Sequence, residues 1–114
     1  MDLINLTSHR IDFVDGSKLY PYDKKHPVSV YWDDEVVDVV DGDSKEEKVL
    51  IKRIPKLPEK EYKRLKRIIG DEYFGIVSFP VVSAVRDTDL EGRVGCLILK
   101  SRHIKKAIKN KFCV

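Results

Sequence analysis

The first side chains that could do chemistry follow an apolar run near the start of the chain. Residues 4–9 read Ile-Asn-Leu-Thr-Ser-His, so two hydroxyls and an imidazole come directly after a strand-like stretch. Folded domains often display their chemistry at such positions. His9 could act as a general acid or base, and the hydroxyls of Thr7 and Ser8 could bind phosphate. The alternative is a turn in which Thr7 or Ser8 bonds to the backbone and His9 is exposed.

A second group of polar side chains lies in residues 76–89. Ser78 precedes a predicted helix, where it could direct its hydroxyl at an anion or serve as a plain N-cap. Arg86, Asp87 and Asp89 could clamp a phosphate with Mg²⁺, or form an ion-paired surface loop. If the two groups meet, Asp87 would orient Arg86 and the hydroxyls would hold phosphate. The predicted ligand site then consists of Ser8, His9, Ser78, Arg86 and Asp87.

The histidines and cysteines are not spaced as metal ligands. No histidine shows paired spacing with Cys96 or Cys113, so we predict no zinc, and nothing indicates a cofactor. The acidic residues within 41–47 lack the EF-hand spacing for calcium. Cys96 lies in an apolar run, which predicts a buried thiol. A disulfide with Cys113 is compatible with the sequence, although nothing in the sequence supports it.

Charge is dense but unevenly distributed. The formal net charge is +3, yet residues 1–57 hold 9 Lys/Arg and 12 Asp/Glu, and residues 58–114 hold 13 and 7. The basic half could contact phosphate or nucleic acid, although a mixed, ion-paired surface typical of thermophiles explains the charges as well. A helix over 101–112 would carry no exposed aromatic side chains for base stacking. Its predicted nucleic-acid face consists of Arg102, Lys105, Lys106 and Lys109.

The strands and helices that must position these residues follow from periodicity and turn signals. Pro58, Glu59 and Glu61 favour a helix start, and Gly70 favours its end. The predicted strands are 3–7, 10–15, 28–32, 73–77 and 94–99, with a hairpin over 35–54 and helices over 58–69, 79–86 and 101–112. We expect residues 1–114 to form a single α+β domain. Its sheet would be mixed and mostly antiparallel, with two or three helices packed on one side.

Length and hydropathy bound the class of protein. The chain has 114 residues, which suits one domain. No apolar run approaches the roughly 18 to 20 residues that cross a bilayer, and no secretory signal is recognisable. We therefore expect a cytoplasmic protein without a membrane partner.

Two segments of the chain carry a resemblance to a family. Residues 4–9 resemble the Ile-Asn-Leu-Thr-Pro-His opening of small proteins from bacteriophages, prophages and some actinobacterial genomes, with Ser8 where proline is usual. The Ile-Val-Ser run at 76–78, the Arg-Asp pair at 86–87 and the Gly-x-x-Gly-Cys strand at 92–96 resemble the second half of those proteins. Residues 33–69 differ from the family's middle segment. The resemblance implies a viral or mobile-element origin, hence a host-cell location, and no particular reaction.

These observations favour a small accessory protein that acts by binding. Its ligand would be a phosphate-bearing molecule, such as a nucleotide or nucleic acid, or a host protein. One alternative is a nucleotide-directed hydrolase or transferase that uses His9 with Asp87, which requires the two side chains to converge. Another is an oligomerising interaction protein that exposes a sheet edge in the run 28–32.

Overall fold

The computed structural model describes residues 2–41, 47–101 and 105–114, and these residues form eight strands and two helices. The strands are β1 (Asp2–Asn5), β2 (Ile11–Asp12), β3 (Lys18–Leu19), β4 (Tyr31–Asp41), β5 (Glu47–Lys56), β6 (Tyr73–Ile76), β7 (Val94–Leu99) and β8 (Ala107–Cys113). The helices are α1 (Glu59–Ile69) and α2 (Phe79–Ala84). The chain is therefore an α+β protein with mixed strands, as the sequence predicts.

The largest sheet has the strand order β1-β6-β7-β8. β1 and β7 both run parallel to β6, and only β8 runs antiparallel to its neighbour. The expectation of a mostly antiparallel sheet is therefore wrong for this sheet, although the β2–β3 and β4–β5 pairs are antiparallel. The physical reason is that α2 and its following turns carry the chain back from the end of β6 to the start of β7, and such crossovers produce parallel pairs.

The β2–β3 hairpin joins both edges of this sheet. Pro21, which follows β3, forms a bridge with Asn5 of β1, and Phe13, which follows β2, forms a bridge with Ala107 of β8. The Tyr22 N–H donates to the Asn5 carbonyl at 2.8 Å, and the Val14 N–H donates to the Ala107 carbonyl at 3.0 Å. The six strands thus close into a small ring, which pairs both sheet edges.

The hydrophobic core consists of two clusters. The first occupies the inside of the ring, and each of its six strands contributes an apolar side chain, namely Leu3, Ile11, Phe13, Leu19, Ile76, Leu97, Ala107 and Phe112. The second lies between the sheet and the helices, where Leu65 and Ile69 of α1 and Val81 of α2 pack with Val94 of β7. Each fully buried aliphatic side chain of this kind contributes about 1.5–3 kcal/mol.

Helix α1 follows its local sequence signals closely. It begins after Pro58, carries Glu59 and Glu61 in its first turn, and ends at Gly70 with a φ of 47°. The acidic side chains face the positive end of the helix dipole, and glycine adopts the left-handed conformation at little cost. The helix predicted over 58–69 is therefore confirmed.

The C-terminal segment is a strand rather than the predicted helix over 101–112. Ala107–Cys113 pair with β7, and Ala107 is buried inside the ring. The apolar spacing in this segment fits a helix, but β7 offers an unpaired edge whose N–H and C=O groups need partners. Tertiary pairing therefore overrides local periodicity, and the predicted helix is wrong, so Lys105, Lys106 and Lys109 do not share a helix face. Contact of these lysines with nucleic acid stays a prediction. Arg102 lies outside the described residues.

The β4–β5 hairpin confirms the antiparallel pair predicted over 35–54. Tyr31 pairs with Lys56 and Asp41 with Glu47, with an irregularity between Val36 and Asp38. The run 28–32 is not a separate strand, because only Tyr31 and Trp32 join β4 and residues 28–30 have no regular structure. The predicted turn at 41–44 falls largely outside the described residues.

Candidate functional site

A cavity lies at the carboxyl ends of the parallel strands β1 and β6, beside the middle of β7. Its volume is about 530 Å³, and its walls come from the segments that follow β1 and β6, from β7, and from the loop before β4. Ligands commonly bind at the carboxyl ends of parallel strands, because the connecting segments diverge there and leave a crevice. The lining residues are Thr7, Ser8, His9, Arg10, Ile11, Pro27, Val28, Val77, Ser78, Cys96 and Leu97.

Asn5 organises the loop that carries the first polar residues into this cavity. Its side chain is 1% exposed, and its Nδ2 donates to the carbonyls of His9 at 2.8 Å and Leu19 at 3.1 Å. Its Oδ1 accepts from the Thr7 N–H at 3.0 Å and from the Thr7 hydroxyl at 2.6 Å. Asn5 is therefore fully bonded, and it fixes the backbone from which Ser8 and His9 project.

The Thr7 side chain stabilises this loop and is not free to bind a ligand. Its hydroxyl lies between Asn5 Oδ1 and the His9 carbonyl, which is 3.1 Å away. This arrangement is the turn that the sequence offered as an alternative to a phosphate-binding Thr7. Ser8 is half-buried and His9 is exposed, and both line the cavity. Within the described ranges no carboxylate bonds to the His9 ring, so a base with an orienting acid is not formed here.

Ser78 also lines this cavity, at the junction of β6 and α2. It occupies the N-cap position, and its carbonyl accepts from the N–H groups of Val81 at 3.0 Å and Val82 at 3.3 Å. Its hydroxyl makes no capping hydrogen bond. The predicted N-cap position is thus correct, whereas the side chain is not used for capping. Because α2 has only six residues, its dipole adds little to anion binding.

Arg86 and Asp87 do not line this cavity. They lie in the exposed turns after α2, where Asp87 adopts a φ of 63°. In the next turn the Asp89 carboxylate pairs with Lys66 of α1 at 2.6 Å. The structure therefore brings together Ser8, His9 and Ser78 and separates them from the Arg-Asp pair. The predicted five-residue site needs this correction, because α2 carries the chain away from the strand end after Ser78.

The cavity is also lined by Arg10 and Cys96, which the sequence analysis did not place in a site. Arg10 lies beside Asp12, with its Nη2 donating to Oδ2 at 3.2 Å and its Nε 2.9 Å from Oδ1. The hydrogen bond and the charge of Asp12 raise the pKa of Arg10, so the guanidinium stays charged. Its position directly after His9 could have identified it. Cys96, predicted to be buried, is half-buried and contributes a thiol to the wall.

The cavity is lined by both apolar and polar residues. Ile11, Val28, Val77 and Leu97 supply most of the apolar surface, and the polar lining residues include Ser8, His9, Arg10 and Ser78. Small-molecule sites typically have this composition and a volume of about 300–1,000 Å³. The arrangement can hold a small molecule that has a flat or apolar body and an anionic or acceptor-rich group.

The basic residues of the C-terminal segment are placed differently from the expectation. Lys109 lies 3.4 Å from Asp15 and from the Ser17 hydroxyl, and its ammonium is 5.8 Å from the centre of the Phe13 ring. Its charge is thus matched by a carboxylate of the β2–β3 hairpin. Lys105 and Lys106 are exposed just before β8. These contacts give no support to a continuous phosphate-binding face.

Comparisons with known proteins give no further assignment. No family model, curated protein or solved structure gives a significant match to this chain. Neither of the two helices has the length and apolar character to cross a bilayer, as far as the described residues extend. In the same residues no three His, Cys, Asp or Glu side chains cluster as metal ligands would. The site must therefore be interpreted from its own geometry.

Proposed function

We propose that this chain is a small binding protein of viral or mobile-element origin, acting in the host cytoplasm, whose cavity takes a nucleotide or a similar phosphate-bearing molecule. The observation that carries the proposal is that Ser8, His9 and Ser78, from distant parts of the sequence, line one cavity at the ends of parallel strands. The proposed origin rests on the resemblance of residues 4–9 and 76–96 to phage and prophage proteins.

The chemistry of the lining favours such a ligand. The apolar walls suit a base or sugar face, and the hydroxyls of Ser8 and Ser78 can donate to phosphate oxygens. Arg10, which is ion-paired with Asp12, adds a guanidinium with further N–H donors, and the His9 ring adds a hydrogen-bonding nitrogen. These contacts would hold and orient a ligand. A hydrolase that pairs His9 with Asp87 has less support, because Asp87 is not among the cavity residues.

Isothermal titration calorimetry tests this proposal directly. The probes are the four nucleoside monophosphates, the matching nucleosides and inorganic phosphate. We expect a nucleotide to bind more tightly than its nucleoside, and His9→Ala and Ser78→Ala each to weaken binding about tenfold. That factor corresponds to about 1.4 kcal/mol, the size of a hydrogen bond to a charged group.

Matched control variants separate the site from general effects. His26→Ala removes an exposed histidine that pairs with Asp23 at 3.1 Å and does not line this cavity. Ser29→Ala likewise removes an exposed hydroxyl away from this cavity. Both should leave the affinity unchanged. The proposal is overturned if no nucleotide produces heat or raises the melting temperature. It is also overturned if His9→Ala behaves like His26→Ala and Ser78→Ala behaves like Ser29→Ala.

The β4–β5 hairpin favours a second candidate function, namely self-association. One face of the hairpin presents Trp32, Val36 and Ile51, all at least 47% exposed, and Val36 pairs directly with Ile51. Neither strand has a second neighbour among the described strands, and α2 packs against β5, so the outer edge of β4 is the one that can pair with another strand. Sedimentation velocity should show a concentration-dependent dimer that Val36→Arg abolishes. A monomer at all concentrations would exclude this candidate.

A further inference from the structure

Cys96 and Cys113 are direct partners across the β7–β8 pair. In antiparallel pairs, opposite Cα atoms lie about 4.5 or 5.5 Å apart, and disulfides need a separation of about 4.4–6.8 Å. Either Cα–Cα separation therefore lies within the range that a disulfide needs. Both cysteines are free thiols in this structure. The juxtaposition is a consequence of the strand register, and it is independent of any ligand in the cavity.

The register at this position is held by close packing. The Phe112 ring, next to Cys113, contacts the Phe74 ring of β6 with centroids 5.0 Å apart. A methyl group on Gly95 would lie 2.9 Å from Phe112 Cβ and 3.1 Å from the Cys113 carbonyl oxygen. β7 and β8 thus approach as closely as a glycine allows, and the two cysteines cannot slip past one another without breaking these contacts.

The two thiols differ in their environment. Cys113 is exposed, whereas Cys96 is half-buried in the cavity wall. Burial, followed by the charge and hydrogen bond of Cys113, raises the pKa of the Cys96 thiol. Cys113 is therefore the thiol that an external reagent meets first. Cys96 is then placed to resolve whatever adduct forms on Cys113, because it faces that sulfur across the strand pair.

We infer that Cys96 and Cys113 form a reversible cross-strand disulfide by exchange with a low-molecular-weight disulfide. The Cys113 thiolate attacks one sulfur of the reagent, the reagent's S–S bond breaks, and the first small thiol leaves. The Cys96 thiolate then attacks the Cys113 sulfur, the mixed disulfide breaks, and the second small thiol leaves. Two protein thiols are oxidised, the reagent is reduced to two thiols, and these take up the two protons.

Mass spectrometry of the folded protein after exposure to oxidised glutathione tests this inference. We expect the intact mass to fall by two hydrogens, both cysteines to resist alkylation, and a cross-linked peptide to join Cys96 with Cys113. Dithiothreitol should restore both thiols. A stable glutathione adduct on Cys113 with an alkylatable Cys96, or a disulfide-linked dimer as the main product, would overturn it.

Three variants make the test specific. Cys96→Ser should stop at the glutathione adduct on Cys113, and Cys113→Ser should react several-fold more slowly because only the half-buried thiol remains. A double variant, Lys111→Cys with Cys113→Ser, keeps two cysteines and moves one of them two residues along the exposed part of β8. This double variant should accumulate the glutathione adduct instead of forming an intramolecular disulfide. If the double variant forms an intramolecular disulfide as fast as Cys96 and Cys113 do, the strand register does not determine the reaction and the inference fails.

Discussion

Replacing Asn5 with alanine tests how the loop that carries Ser8 and His9 is held. The substitution removes four hydrogen bonds, two donated by Nδ2 to backbone carbonyls and two accepted by Oδ1 from Thr7. It also leaves a space at a position that is 1% exposed. Within the part of the chain that the structure describes, the loop has no comparable side-chain anchor, because the other side-chain bonds of this turn come from the Thr7 hydroxyl itself.

The expected loss of stability follows from the number of bonds and their exposure. A typical protein hydrogen bond contributes about 1 kcal/mol net, so four bonds set an upper value of about 4 kcal/mol. The Thr7 and His9 groups lie in a partly exposed loop, where water can replace some of the lost partners. We therefore expect Asn5→Ala to lower the free energy of unfolding by about 2–3 kcal/mol, and the melting temperature by about 10 °C or more.

A double-mutant cycle in urea separates the network from a simple cavity effect. Thr7→Val removes the hydroxyl that bonds to Asn5 Oδ1 at 2.6 Å and keeps the backbone N–H. Combined with Asn5→Ala, it should show a coupling energy of about 0.5–1.5 kcal/mol. Thr88→Val is the matched control, because its hydroxyl bonds to the Val85 carbonyl instead, and its effect should be additive with Asn5→Ala.

Two results would refute this account of the loop. One is a loss below about 0.5 kcal/mol for Asn5→Ala, which is the range of ordinary surface substitutions. The other is additivity between Asn5→Ala and Thr7→Val, since bonded partners cannot be removed independently. The same variants should weaken ligand binding in the order of their effect on the loop, because His9 and Ser8 depend on its shape.

Three further predictions concern other parts of the fold. Gly95→Ala should lower the free energy of unfolding by about 1–3 kcal/mol in urea, since its methyl would lie 2.9 Å from Phe112 Cβ; an unchanged midpoint would contradict this packing. Oxidation should stabilise the protein by about 3 kcal/mol through the loop of about 18 residues that it closes, and Cys113→Ser should lose this gain in thermal melts. Asp15 should contribute stability above pH 3.8 that is lost as the pH falls, because hydrogen bonds from Ser17 lower its folded pKa. Between pH 6 and pH 3, the melting temperature should fall less steeply for Asp15→Asn than for the unsubstituted protein. Identical slopes would rule out this contribution.

Elements with strong local signals were predictable from the sequence. Proline at the start and glycine at the end define α1, and its buried Leu65 and Ile69 follow the helical period. The run 94–99 forms a strand within its predicted bounds. What the sequence did not supply was the direction of pairing, because β1 lies about 70 residues from its neighbour β6. Local patterns contain no information about a partner at that separation.

The sequence also allowed part of the candidate site to be predicted. Ser8, His9 and Ser78 lie within four residues of the ends of β1 and β6, and the parallel pairing of these strands brings those ends together. Arg86 was predicted from its chemistry. Its position relative to the cavity depends on the path of α2 and the following turns, and the residue types alone do not specify that path. Arg10 was missed because its neighbour Asp12 made the segment read as an ordinary half-buried strand.

The C-terminal segment shows how one wrong element conceals a second feature. As a helix over 101–112, the segment would end just before Cys113 and give it no relation to Cys96. As strand β8, it pairs with β7, and Cys113 becomes the direct partner of Cys96. The same pairing places Ala107 against Phe13 and thereby closes the ring. Ring closure and cysteine pairing therefore depend on the same strand, and a substitution that detaches β8 should abolish both the closed ring and the proposed disulfide.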